Sequence, residues 1–93
     1  MPFIIEDGML IKYIEEEGVT EVVIPDTVTS IKSKAFKRCY NITSVKLPNS
    51  VTHTGHGTFR LCTSLKKVEL PDSIMMIGHG AFQECTALEE IVI

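Results

Sequence analysis

The chain has no tryptophan, only two tyrosines and only four phenylalanines, so any core built from it is mostly aliphatic. No apolar run approaches the roughly 20 residues that span a bilayer, so no membrane insertion is expected. Met1-Pro2-Phe3 leads directly into a strand-like segment, without the basic start and apolar stretch of a secretory leader. Basic residues are not in excess: nine against twelve acidic residues leave a net charge of −3, which gives no pull towards nucleic acid. The three cysteines are an odd number and cannot form a complete disulfide set. There is no Gly-x-Ser-x-Gly elbow, no His-Glu-x-x-His and no recurring inward pair of acids. These absences predict a chain that is not an enzyme and carries no cofactor. With 93 residues it fits one domain, which buries only about two-thirds of its unfolded surface.

What is present is a repeat. Pro25, Pro48 and Pro71 lie 23 residues apart, and Phe36, Phe59 and Phe82, and Cys39, Cys62 and Cys85, keep the same spacing. Val45, Val68 and Ile91 make a fourth column, and Val28, Val51 and Ile74 a fifth. Self-similarity at a fixed period signals units that bury their apolar faces only by stacking. Leu65, Val68 and Leu70 mark a short strand, with Val68 and Leu70 on one face. Pro71-Asp72 ends it, because proline supplies no ladder N–H. Ile74 and Ile77 follow, then Gly78-His79-Gly80, then Ala81, Phe82 and Cys85 at helical spacing. The expected fold is an α/β repeat solenoid: one parallel sheet, with short helical turns on the other side. Units fall at 24–46, 47–69 and 70–92, with a partial unit at 19–23. Residues 1–18 alternate around Asp7-Gly8, a strong hairpin signal, and are expected to cap the solenoid.

The run from Ile24 to Cys39, Ile-Pro-Asp-x-Val-x-x-Ile-x-x-x-Ala-Phe-x-x-Cys, recurs from Leu70 to Cys85 and resembles the BspA-like leucine-rich repeat family. The opening Phe3-Ile4-Ile5-Glu6-Asp7-Gly8-Met9-Leu10 is similar to the hairpins that precede such arrays. The resemblance covers nearly the whole chain. It implies a short, curved leucine-rich repeat array, a cell-surface or secreted setting, and a role in adhesion or protein binding. Four features depart from the pattern. Thr54 stands where the other units have Ile31 and Ile77. Lys32 and Lys34 replace two glycines. His56 and His79 fill a position where the family usually carries Asp, Asn or Ser. The array is also very short, without an evident C-terminal cap.

The default partner surface is the outer face of the strands. Its two columns read Glu21, Ser44, Lys67, Glu90 and Val23, Lys46, Glu69, Val92. Lys67 should neighbour Glu90, and Lys46 should neighbour Glu69; the plainer reading is a self-neutralised, solvated sheet. His53, His56 and His79 could supply three imidazoles to a metal ion, with water as a fourth ligand; the alternative is solvated turn histidines sharing a column. The cysteine column reads as buried free thiols. The two Gly-His-Gly segments only faintly resemble phosphate loops; the glycines fit the sharp turn each coil needs. Lys32, Lys34, Lys37 and Arg38 form a basic cluster, and Glu15-Glu16-Glu17 an acidic run; both also suit a solvated face. Asn41-Ile42-Thr43 is a glycosylation sequon, relevant only in a secreted eukaryotic protein. The last strand, with Leu88, Ile91 and Ile93, leaves an unpaired edge and apolar side chains, which suit either a piece of a longer array or a homo-oligomer joined through that edge; the second is the expectation.

Overall fold

A computed structural model describes residues 2–92. The strands are β1 (Phe3–Glu6), β2 (Met9–Tyr13), β3 (Glu21–Val23), β4 (Ser30–Ile31), β5 (Ser44–Lys46), β6 (His53–Thr54), β7 (Lys67–Glu69), β8 (Met76–Ile77) and β9 (Glu90–Val92). They form two sheets, not one. The long strands stack in the order β3-β5-β7-β9, and the short ones in the order β1-β2-β4-β6-β8. All neighbours are parallel except the hairpin pair β1-β2. The second sheet is built by the segment carrying Ile31, Thr54 and Ile77. Two strand residues per coil are too few to show a period of two.

The hairpin turns at Asp7-Gly8, where both residues have positive φ (48° and 81°), as a tight two-residue hairpin requires. Its second strand continues the short-strand sheet, pairing Leu10 with Ile31. Tyr13 then stands in the phenylalanine column. The rings of Phe3, Tyr13, Phe36, Phe59 and Phe82 follow one another at centroid distances of 5.3, 5.0, 5.0 and 5.5 Å. Val22, Val45, Val68, Val28, Val51 and Leu65 belong to the surrounding aliphatic core, with Leu10, Ile24, Ile31, Ile42, Leu47 and Leu70. Fully burying such a side chain contributes roughly 1.5–3 kcal/mol.

The expected helical turns are not helices; the described residues contain none. The reason lies in the backbone. Lys34, Gly57 and Gly80 take φ of 65°, 60° and 66°, and Arg38, Leu61 and Glu84 take 63°, 62° and 61°. A right-handed helix cannot pass through such residues. Instead, alternate amides are divided between two partners. Ala35, Lys37 and Cys39 donate to the carbonyls of Lys32, Lys34 and Phe36 within the coil. Lys34, Phe36 and Arg38 donate to His56, Thr58 and Arg60 of the next coil at 2.8–3.0 Å. Overlapping tight turns thus form a third ladder along the solenoid.

Glycine is required where coils approach most closely. A Cβ on Gly55 would strike the Ser33 backbone, and one on Gly78 the carbonyl of Gly55. Lys32 stands in the same column with the hairpin as its neighbour, its N–H donating to Leu10 O at 2.9 Å as Gly55 and Gly78 donate to Ile31 O and Thr54 O.

Candidate functional site

The long-strand sheet positions the predicted partner surface. Its register aligns Glu21, Ser44, Lys67 and Glu90 in one row, and Val23, Lys46, Glu69 and Val92 in the next. Between the rows, Val22, Val45 and Val68 point into the core and are buried, so the flanking residues of each strand stand outward. The charges are adjacent but not joined. Among the described residues the one ion pair is Arg60–Glu84, at 3.6 Å on the turn side. Lys46 and Lys67 therefore face Glu69 and Glu90 with their polar heads free, and Val23 is 69% exposed. The face offers fixed charges of both signs around exposed aliphatic groups.

A cleft of about 430 Å³ opens beside Lys46, lined by Asp26, Leu47, Pro48, Asn49 and Ser50. The buried Ser50 hydroxyl has no hydrogen-bond partner among the described residues. These polar residues were not singled out in the sequence, although a signal existed: Asp26, Asn49 and Asp72 each follow a proline of the 23-residue column.

The histidines are not brought together as a trio. Among the described residues, no three His, Cys, Asp or Glu side chains form a set able to hold a metal. His53 lies on β6 beside Ser30 and Met76, and its Nδ1 pairs with the Thr52 hydroxyl at 2.7 Å. His56 and His79 do stack, with ring centroids 6.4 Å apart. Their contact is structural: His56 Nδ1 accepts the backbone N–H of His79 at 2.9 Å. Accepting there places the neutral ring's proton on Nε2, so binding a metal at either nitrogen would sacrifice that bond.

The cysteines are free; Cys39 and Cys62 are buried and Cys85 partly so. Cys62 Sγ donates to Phe36 O at 3.0 Å, and Cys85 Sγ to Phe59 O at 2.9 Å. Burial pushes the Cys85 thiol up to about 11. The neighbouring Cys39 thiol and burial push Cys62 up as well. Both are held in the protonated, unreactive form. On the turn side, the Lys37 ammonium is lowered, first by desolvation and then by Arg38, Lys34 and Arg60. Arg60 thus joins the basic cluster read from the sequence.

At the C-terminal end β8 and β9 are the outer strands of their sheets. Met75, Met76, Ile77, Ile91 and Val92 are exposed, and Leu88 is partly buried against the core. Ile93, named with this edge, lies outside the described residues.

Stacked coils, a glycine column and inter-coil ladders define a leucine-rich repeat solenoid. The model of the BspA type leucine-rich repeat region matches residues 12–93 in six copies, and the chain belongs to that family. Among solved structures, a leucine-rich repeat protein of Treponema pallidum is similar over 91% of this chain and 41% of its own, with 34% identity and a TM-score of 0.85. One from Eubacterium ventriosum matches 92% of this chain and 23% of its own, at 28% identity and a TM-score of 0.85. A leucine-rich cell surface protein of Faecalibacterium prausnitzii matches 90% and 34%, at 26% identity and a TM-score of 0.58. The chain spans less than half the length of each. No curated protein matches it.

Proposed function

We propose that this chain is a protein-interaction module without chemistry of its own, and that its partner sits on the outer face of the four-stranded sheet. The observation that carries this reading is the pair of outward columns, in which the strand register aligns Lys46, Lys67, Glu69 and Glu90, none of them in an ion pair among the described residues. Charges set at fixed strand positions but left unneutralised are available to a complementary surface, where they steer encounter and fix register. The cleft beside Lys46 would take one projecting group of the partner. Leucine-rich repeats generally serve as interaction modules, and one similar structure is described as a cell surface protein. A surface adhesion role for this chain rests on that analogy. The test is parallel capture of proteins by the wild-type chain and by the Lys46→Glu/Lys67→Glu variant, both shown to melt alike. A specific partner should be retained by the first and lost from the second. Equal retention would contradict the assignment.

A second reading is supported by the C-terminal end. Exposed Met75, Met76, Ile77, Ile91 and Val92 beside two strand edges that are unpaired among the described residues would suit self-association. Light scattering over a range of concentrations should then show a dimer that Ile91→Asp dissociates. A variant that stays assembled and folded would remove this interface.

A further inference from the structure

The two sheets end unevenly at the N-terminal side. The short-strand sheet continues past β4 with β2 and β1, whereas the long-strand sheet stops at β3. The hairpin therefore overhangs a missing strand. Everywhere else in that sheet, the first residue of a strand donates backward: Ser44, Lys67 and Glu90 give their N–H groups to the carbonyls of Thr20, Thr43 and Lys66. Glu21 occupies the same column and, among the described residues, has no strand behind it. Two residues on, Val23 presents its backbone to the same side.

Beneath the overhang lies a cleft of about 150 Å³, lined by Phe3, Tyr13, Val19 and Val22, with Glu16 and Glu21 at its rim. That is below the roughly 300 Å³ at which small-molecule pockets begin, but it suits a single aliphatic side chain. Among the described residues neither Glu16 nor Glu21 has a cation within ion-pair distance. Of the two, Glu16 acts on the cleft wall: the Tyr13 phenol is raised first by burial, then by Cys39, Glu16 and Glu15.

We propose that the open edge of β3 is a strand-addition site for an extended segment of a partner protein, in which an aliphatic residue is flanked by lysine or arginine. Backbone pairing with Glu21 and Val23 supplies the affinity, and the cleft and the acidic rim select the side chains. A second copy of this chain fits poorly, because in-register addition of its β9 would set Glu90 against Glu21, and like charges directly opposite are unfavourable.

The experiment is amide NMR of the full chain with a synthetic ten-residue peptide alternating lysine and valine. The expected result is shifts confined to Glu21, Val22, Val23, Val19 and Tyr13, and binding that weakens with salt. Glu16→Gln/Glu21→Gln should lose about two- to tenfold in affinity, as for two partly screened pairs. A peptide N-methylated on the residues facing β3 should lose binding without any change to the protein. Lys46→Glu/Lys67→Glu should still bind, which separates this site from the sheet face. Shifts confined to Glu90–Val92, equal binding of a glutamate–valine peptide, or no binding would overturn the proposal.

Discussion

The imidazole of His56 receives the backbone N–H of His79, at 2.9 Å, and Ser33 Oγ does the same for the N–H of His56, at 3.1 Å. The column therefore needs a short side chain with an acceptor, used to tie each coil to the next. Histidine here does for the second coil what Ser33 does for the first. Replacing His56 by leucine should cost about 1 kcal/mol, as for one lost hydrogen bond, while His56→Asn should cost much less. Thermal melts of the two variants distinguish them; equal losses would mean that only packing matters there.

Thr54 is buried among apolar residues and its hydroxyl has no partner among the described residues. Thr54→Val removes that hydroxyl at nearly constant volume, and Thr54→Ile restores the residue type of the neighbouring coils. Each should stabilise the chain by about 1 kcal/mol, a rise of about 4–8 °C in melting temperature. An unchanged or lowered value would count against the register.

The coil turns make opposite demands on neighbouring positions. Lys34 holds φ of 65°, so Lys34→Gly should stabilise by about 0.5–1 kcal/mol, relieving a left-handed side-chain clash. Gly55→Ala should cost about 2 kcal/mol or more, because its Cβ meets the Ser33 backbone. Denaturant titration measures both. Effects of the same sign would show that the turn geometry is wrong.

Alkaline pH should weaken the fold. In the folded chain Cys85 keeps its proton up to about 11, whereas the unfolded thiol releases it near 9. The folded state binds more protons in that window, so stability falls as pH rises through it. Cys62 and Tyr13 are also raised and extend the decline upward. Melting temperature should drop between pH 9 and 11, and Cys85→Ala should make that drop shallower, leaving the part due to Cys62. A flat profile for the wild type would contradict buried thiols.

The 23-residue columns made the solenoid, the inward Phe and Cys positions and the two outward strand rows legible, because stacking forces equivalent residues together. Tyr13 could have been found the same way, lying 23 residues before Phe36. The short-strand sheet was hidden by its two-residue strands. The helical reading of Ala81, Phe82 and Cys85 failed because spacing reports which side chains face inward, not the positive φ at Gly80 and Glu84. The histidine spacing did not show how the side chains sit: His53 belongs to a strand and His56 to a turn, and among the described residues no metal-holding set of three forms. The N-terminal notch depends on how far each sheet extends, which no local pattern encodes.

The central claim is that the outer face of the four-stranded sheet is the partner surface. The most direct measurement places a photo-crosslinking amino acid at Lys46, Lys67 or, on the turn side, Lys37, and irradiates cells that make each variant. The account predicts adducts of one defined mass from positions 46 and 67 and none from 37. Adducts from 37 alone, or from none of the three, would contradict it.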